Sequence, residues 1–451
     1  MILFRNIGSE FIGASCYYIN INGIGIILDC GVDPRKKGFD SFPDFEVLND
    51  LPTDYVIISH AHQDHIGALP LLIKKFPHIK ILATPQTRAL AEIVLHNSVS
   101  ILKKEIPDRD FLIYSHEEVD LLIKSMNYLE YEKEIVLLSM YSKTDSGIKL
   151  KFFDAGHILG SAGIYLEFND KKIFYTGDIK TTNQEILWGA KLPEEKVDLL
   201  ILETTYGSTS LNQIPKWKEE ASRFAKEANK ILSDGGSILI PVFALGKMQE
   251  ILAMIYNLML KKNLADVDIF VGGIGKQILR IYDLNRYITK RTDQEFELNS
   301  IPTSDYNEAD SPREFFKSPS IILASSGMML KETSSYNFAL HWFKEDKSAI
   351  FIVGYMDPET PGYLISNSKK GDNIILDELN ELKIRCEIKN FKFPSHSNSL
   401  ELLDIVKKLK PEKIILVHGE EDSINKIGEI ILKQKKEIKI FTAEKNKFIK
   451  L

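Results

Sequence analysis

Cysteine is nearly missing from this chain: Cys16, Cys30 and Cys386 are the only three, and no two of them form a CxxC pair. Paired-thiol redox motifs and thiolate-rich zinc modules are therefore excluded. The three suit small buried apolar positions in a reducing compartment. Long apolar runs are missing too, and none approaches the roughly 18 residues of a membrane span. The opening stretch, MILFRNIGSEF, has too short an apolar segment for a signal peptide. Basic residues are not in excess: 57 Lys and Arg stand against 63 Asp and Glu, a net charge of −6. Overall charge thus does not announce a nucleic-acid binder, although a local basic groove stays open. Low-complexity tracts and fixed-period repeats are also lacking. What remains is a 451-residue chain, 44% hydrophobic and 27% charged. That profile fits a cytoplasmic globular protein of two or three domains with no membrane partner.

A nucleotide-binding loop is absent as well. GGIGKQ (272–277) has Phe270 where a P-loop needs its first glycine and Gln277 where it needs Ser or Thr. It also fails GxGxxG, because Ile278 stands at the last glycine. DGGS (234–237) reads as a helix stop and turn. No nucleotide cofactor is expected.

Strand-like apolar runs alternate with helical patterns almost throughout, so the fold class is α/β. CYYINI, GIIL and YVIIS read as early strands, HIGALPLLIKKF as the first helix, and 86–135 as mostly helical. IKLKFFDA, IYLEFN, KIFYTGD and VDLLILE bring strands back. After Gly207 a long amphipathic helix, IPKWKEEASRFAKEANKILSDGG, opens a block that reads as a doubly wound parallel unit, with strands at SILIPVF, DIFVG, SIILASS and AIFIVGY. From about Ile388 the earlier style returns, with NFKF, KIILVH and IKIFT as strands. The simplest organisation is a first domain made from 1–208 and 388–451, with a second domain inserted at 209–387.

The chain has ten histidines, yet VIISHAHQDHIG (56–67) holds three of them and an acid in six positions. A chance cluster needs no matching residues elsewhere, whereas zinc wants about four ligands. Matching residues exist. FFDAGHILGSAG places His157 in a glycine-flanked loop after a strand. IFYTGD ends a strand at Asp178, IILVHGE ends another at His418, and GIILDCG ends an early one at Asp29. In α/β sheets functional groups gather at the carboxyl ends of strands. His60 and His62, at i and i+2 in extended chain, face the same way. Asp64 and His65 fall at the turn into a helix. His60, His62, Asp64, His65, His157, Asp178 and His418 are too many for one tetrahedral ion, and they suit two ions sharing a bridging carboxylate. Zinc fits this donor set, and manganese or iron is not excluded. His78, His96, His116 and His341 carry no such context and read as structural or exposed.

HAHQDH, DAGHILGSAG, YTGD and Asp29 resemble the motifs of the metallo-β-lactamase superfamily. LILETTYGS around Glu203, FPSH around His396 and LVHGE around His418 resemble the additional motifs of its β-CASP ribonucleases, and LIPVFALGKMQE and ASSGMM resemble that family's inserted domain. The resemblance covers nearly the whole chain in preserved order. It implies an αββα sandwich with a dinuclear metal site on one edge and an inserted β-CASP α/β domain. The chain departs from the family's usual pattern at Pro394, Asn398 and Lys247. About 33 residues follow His418, so no further C-terminal RNA-binding module is expected.

The expected activity is hydrolysis of RNA phosphodiesters. Two metals about 3.5–4 Å apart can clamp an in-line displacement and supply hydroxide near neutral pH. His60, His62 and His157 are expected on one ion, Asp64, His65 and His418 on the other, with Asp178 between and Asp29 orienting ligands from behind. The resemblance implies catalytic roles for His396 as general acid, Glu203 as the residue that positions it, and Asp64. Single-stranded RNA is the expected partner, and attack by a metal-bound hydroxide should leave 5′-phosphate and 3′-hydroxyl ends; internal cutting is expected, with cutting from a 5′ end left open. A homodimer or an RNA-processing complex stays open. The alternatives are a small-molecule hydrolase of the same fold, acting on a thioester or lactone, and a non-catalytic RNA-processing subunit. The large insertion argues against the first alternative, and the intact ligand set against the second.

Overall fold

The strand Leu199–Glu203 is buried on both faces, and its side chains alternate between two cores. Leu199 and Ile201 join a core that also holds Phe4, Tyr17, Ile26, Phe152 and Tyr175. Leu200 and Leu202 join another, with Leu402, Leu403, Ile427 and Ile431 from helices. A period of two on a doubly covered strand produces this split, and each buried aliphatic side chain contributes about 1.5–3 kcal/mol. The structure is a computed structural model that describes residues 2–105, 113–138, 145–209, 215–377 and 380–451. It divides into two compact units. One comprises Met1–Asn183, Trp188–Gln213 and His396–Leu451, the other Gln184–Leu187 and Ile214–Ser395.

In the first unit the chain runs β1 (Ile2–Asn6), β2 (Tyr17–Ile21), β3 (Ile24–Leu28), β4 (Tyr55–Ile57), α1 (Gln63–Ile66), α2 (Leu69–Lys75), β5 (Lys80–Ala83), α3 (Pro85–Glu105), α4 (His116–Ser125), β6 (Asn127–Tyr128), β7 (Ile135–Leu138), β8 (Asp145–Asp154), β9 (Ala162–Phe168), β10 (Lys171–Tyr175) and β11 (Leu199–Glu203). After the second unit, α10 (Ser399–Leu409), β20 (Lys413–Val417), α11 (Glu421–Gln434), β21 (Lys439–Thr442) and β22 (Phe448–Lys450) complete it. Two seven-stranded sheets result, ordered β22-β1-β2-β3-β4-β5-β6 and β21-β20-β11-β10-β9-β8-β7. They share the core that contains Phe4, Leu28, Ile57, Phe152 and Ile201, while α10 and α11 cover the outer face of the second sheet. β3, β4 and β5 are parallel neighbours, as are β10, β11 and β20.

The second unit runs α5 (Trp217–Ser233), β12 (Ile238–Pro241), α6 (Lys247–Leu260), β13 (Asp268–Val271), α7 (Ile274–Leu284), β14 (Ser304–Asp305), β15 (Ser320–Ala324), α8 (Ser334–Trp342), β16 (Ala349–Ile352), α9 (Pro361–Ser366), β17 (Asn373–Asp377), β18 (Asn380–Lys383) and β19 (Glu387–Asn390). Six of the strands form a sheet ordered β14-β13-β15-β12-β16-β19, parallel at every pairing.

Local differences from the sequence pattern have physical causes. The helix read at 65–76 is two short helices, α1 and α2, because Gly67 and Ala68 interrupt it and Pro70 opens the second. The stretch 86–135 is helical over α3 and α4 only; residues 106–112 lie outside the described residues, and β6 and β7 follow α4. The first residue of the helix read at 214–236 also lies outside them, and α5 begins at Trp217. The strand read at 390–393 is displaced to β19. There Lys392 gives its N–H to the Glu220 carboxylate, not to a ladder, and Pro394 has none to give.

Glu250 on α6 is a buried carboxylate, 1% exposed. It accepts the backbone N–H groups of Ile186 (2.7 Å) and Leu187 (3.2 Å). Burial pushes its carboxyl up to about 7, with Glu185 adding to the rise, against the two N–H groups and Lys247. A raised acid favours the protonated fold. Its stabilisation is full below the unfolded value near 4.5 and is lost as pH rises through about 7. The second unit should therefore weaken by about 3 kcal/mol between pH 4.5 and 8. Glu250→Gln should flatten that slope in denaturant titrations, and parallel wild-type and variant curves would remove Glu250 as its cause.

Candidate metal centre

The metal-binding candidates lie in the segments that follow strand ends, with Asp64 and His65 on α1 after β4. Asp29 follows β3 with a left-handed backbone, φ +61°, a conformation that Asp tolerates better than most residues. Its carboxylate accepts the N–H (2.6 Å) and Oγ–H (2.7 Å) of Ser59 and the hydroxyl of Tyr175 (2.7 Å), and it lies 2.8 Å from His65 Nδ1. His65 thus gives its Nδ1–H to Asp29 and turns Nε2 away. Ser59 Oγ is also 3.0 Å from His60 Nδ1, so one hydroxyl accepts from His60 and donates to Asp29. Both imidazoles thereby commit Nδ1 to these partners and leave Nε2 as the atom that can ligate. Two glycines permit this approach. A Cβ on Gly31 would lie 1.7 Å from Asp64 O, and one on Gly177 would lie 2.8 Å from Ser59 Cβ.

The donors converge in two groups, His60, His62, His157 and Asp178, and Asp64, His65 and His418. In the first, His62 Nδ1 is 3.1 Å from both His60 Nε2 and His157 Nε2, and Asp178 Oδ2 is 3.5 and 3.6 Å from those two nitrogens. Four ligands at 2.0–2.1 Å from a tetrahedral ion stand about 3.3 Å apart, so the spacing fits. In the second, Asp64 Oδ2 is 3.2 Å from His418 Nε2 and 3.7 Å from His65 Nε2. The other Asp178 oxygen, Oδ1, is 3.4 Å from His65 Nε2 and 3.2 Å from His418 Nδ1. That oxygen is buried and accepts no hydrogen bond among the described residues. An orphaned carboxylate oxygen is costly unless a cation faces it, so the donor set fits a pair of metal ions.

Without metal, protons occupy the same places. Burial drives His60 well below its ordinary value, and His65 beside it adds to the effect. Burial also opposes charge on His65, yet the carboxylates of Asp178, Asp64 and Asp29 outweigh it and hold His65 well above the usual value. Asp64, despite burial, is held down to about 2 by His65 and His418. Asp178 is likewise held low, against burial, by His418, His65, His396 and His60. A metal ion would displace the proton that these carboxylates hold on His65.

His396 stands at the edge of this cluster. Its Nδ1 lies 3.1 Å from Glu203 Oε1, and its Nε2 lies 4.0 Å from Asp178 Oδ2. The His157 and His396 ring centroids are 4.5 Å apart. Glu203 is fully buried and held by the N–H groups of Ile179 (3.2 Å) and Thr205 (2.8 Å). Asn398 caps α10, accepting from Leu400 and Glu401 while Glu401 accepts from the Asn398 N–H. Lys247 donates to Phe393 O, inside the second unit.

All seven metal candidates and Asp29, Glu203 and His396 come together within the first unit. Three supporting residues went unread in the sequence. Ser59 and Tyr175 hold Asp29, and Thr205 Oγ1 lies 3.2 Å from His418 Nδ1. A hydroxyl directly before His60, and another three residues before Asp178, were the available signals.

Known proteins match this arrangement in the same order. Residues 18–205 fit the metallo-beta-lactamase superfamily domain, 248–365 the Beta-Casp domain, and 381–443 the Zn-dependent metallo-hydrolase RNA specificity domain. The chain is 32% identical to an RNase J-like protein of Methanocaldococcus jannaschii, over 92% of this chain and 91% of that one. It is 28% identical to cleavage and polyadenylation specificity factor subunit 3 of Dictyostelium discoideum, over 96% of this chain and 55% of that protein, so it spans about half of that relative. A crystal structure of an Enterococcus faecalis protein of unknown function superposes with a TM-score of 0.56 at 12% identity, covering 100% of this chain and 99% of that one, a likeness of fold alone. With a His/Asp cluster of the kind this metal-dependent fold uses, the chain belongs to the metallo-β-lactamase/β-CASP family of RNA-processing nucleases.

Proposed function

We propose that this protein is a dinuclear zinc ribonuclease that cuts single-stranded RNA internally and leaves 5′-phosphate and 3′-hydroxyl ends. The observation that carries this reading is the Asp178 carboxylate. One of its oxygens faces His60 and His157, and the other faces His65 and His418. His60, His62 and His157 would hold one ion and Asp64, His65 and His418 the second, with Asp178 shared. Zinc bound there supplies Lewis acidity and a nucleophilic water near neutral pH. The domains in this reading are 1–208 with 388–451, and the insertion 209–387.

The chain's own groups manage the leaving oxygen. Glu203 takes the Nδ1–H of His396 and so leaves Nε2 directed at the cluster, where it can hold a proton. Attack of water on phosphorus forms a new P–O bond and breaks the bond to the 3′ oxygen. His396 Nε2 gives its proton to that oxygen, the role of a general acid. No step uses the ribose 2′-hydroxyl, so discrimination between RNA and DNA must come from binding contacts. The match of 381–443 to an RNA specificity domain, a span that contains His396 and His418, supports RNA as the substrate.

Digestion of one RNA in linear and circular form, with mass analysis of the products, tests this reading. Cleavage of both forms is expected, with 5′-phosphate and 3′-hydroxyl ends and a poor rate on matched single-stranded DNA. Cyclic 2′,3′-phosphate ends would refute attack by water. An intact circle beside a digested linear RNA would replace internal cutting with cutting from an end.

A further inference from the structure

We propose that a lysine tract at the amino ends of β20 and β21, on the first unit, docks the phosphate backbone of a long single-stranded RNA at a distance from the strand-end cluster. Two seven-residue runs build it. KKLKPEK (407–413) closes α10 and opens β20, and KQKKEIK (433–439) closes α11 and opens β21. Each run holds four lysines against one glutamate, in a chain whose net charge is −6. The fold sets the runs side by side, because β20 and β21 are parallel neighbours with Lys413 opposite Lys439.

Lys410, Lys413, Lys435 and Lys439 line one groove, together with Val406 and Ile438. Glu412 and Glu437 line it too, yet neither takes an ion pair from these lysines. Of the eight lysines, only Lys407 has an ion pair among the described residues, with Asp404 of its own helix. Asp198, whose backbone carbonyl accepts the Lys413 N–H, commits its carboxylate to Lys171. Elsewhere on the same unit, Lys74, Lys75, Lys149 and Lys171 each have a carboxylate partner. The helix dipole favours cations in a last turn, which accounts for Lys407, Lys408 and Lys433. It does not account for Lys413 and Lys439. These stand opposite each other on strands about 4.8 Å apart, where like charges cost stability. A bound polyanion would offset that cost.

The residue types point to backbone, not to bases. Neither run contains arginine or an aromatic residue. Without arginine there is no bidentate fork for a specific contact, and without aromatics there is no platform on which bases stack. What remains is a row of point charges, which suits a repeating polyanion and carries no sequence preference. The match of 381–443 that supports RNA as the substrate includes all eight lysines, and the inference rests on that reading. β20 sets Lys413 five residues before His418, about 17 Å away along the strand. The tract therefore holds a part of the strand remote from the phosphate being cut. It should serve long RNA and be indifferent to small substrates.

The test combines Lys410→Gln, Lys413→Gln, Lys435→Gln and Lys439→Gln in the full, metal-loaded chain. Affinity for a long unstructured RNA is read over a salt series with His396→Ala added to spare the RNA, and cleavage is read without it. The quadruple variant should bind RNA about 10–100-fold more weakly, and the slope of log affinity against log salt should shrink by up to about 3, at roughly 0.7 per lost contact. KM for the long RNA should rise with kcat unchanged, and the rate on a nitrophenyl phosphodiester should match the wild type. A charge-matched control, Lys→Gln at Lys74, Lys75, Lys149 and Lys171, should bind RNA normally. Should the quadruple variant misfold, Lys408→Gln with Lys436→Gln, both exposed, should give about half the change in slope. Unchanged affinity and slope in these variants would overturn the proposal. So would an equal loss in the control, which makes the effect one of overall charge. So would normal RNA binding beside lost polyglutamate binding, which makes the tract a docking face for an acidic protein. Weaker RNA binding by the variant supports the tract even where the wild type cuts no RNA, a result that would fault the proposed activity alone.

Discussion

Asp178→Ala is expected to lose both metal ions, and with them RNA cleavage by on the order of 10³-fold or more. The wild type, purified without chelator, should hold about two equivalents of metal per chain. Asp178 is the only one of the seven candidates whose atoms face both donor groups, at 3.4–3.6 Å from His60, His157 and His65. Its removal leaves each group one donor short and takes away the charge that offsets two cations. Elemental analysis with circular dichroism separates metal loss from unfolding. A folded Asp178→Ala protein that keeps two tightly held ions and cuts RNA normally would end the bridging assignment. A wild type that never exceeds one equivalent, even with zinc or manganese added, would end the dinuclear model.

His396→Ala is expected to keep its metals and lose about 10²–10⁴-fold in cleavage, the usual cost of a missing general acid. Metal retention follows from placement: Nε2 is 4.0 Å from Asp178 Oδ2, and Nδ1 is committed to Glu203. The defect should depend on the leaving group. An RNA phosphodiester expels an alkoxide that needs a proton, whereas a nitrophenyl phosphodiester expels a stable phenolate. The variant should therefore lose far less on the nitrophenyl ester. Equal losses on both substrates would make His396 a binding or structural residue, and loss of metal would make it a ligand. Glu203→Gln should produce a milder form of the same pattern, because the amide still accepts one backbone N–H but no longer stabilises charge on the imidazole.

The strand-end residues were legible because each announces itself locally. His60, His62, Asp64 and His65 occupy six positions after one apolar strand, and His157, Asp178 and His418 each follow another. A strand that must be apolar on both faces can carry polar residues only past its end, so apolar run followed by His or Asp is a strong signal. What the sequence hid was pairwise and distant. Ser59 serving His60 and Asp29 together, or His96 meeting His116 across two helices, leaves no periodic trace. Residues 390–393, with two phenylalanines, look more strand-like than Glu387–Asn390, yet the ladder partner on β16 selects the latter. The split of 65–76 into two helices turned on Gly67 and Ala68, whose effect an otherwise helical apolar pattern masked.

The pairing of β20 with β11 bears on how the enzyme is born. β11 ends at Glu203, yet its neighbour begins at Lys413, after the whole second unit has been synthesised. β1 waits longer still for its partner β22. A ribosome adding residues in order must hold an open, apolar strand edge through the making of some two hundred further residues. Long-range pairings of this kind are slow and invite aggregation while they wait. They also impose an order. His396 and His418 arrive only with the closing segment, so a nascent chain lacks the proposed proton donor and one of the three donors of the second group. On the proposed reading, the site is therefore completed only when the last segment has emerged.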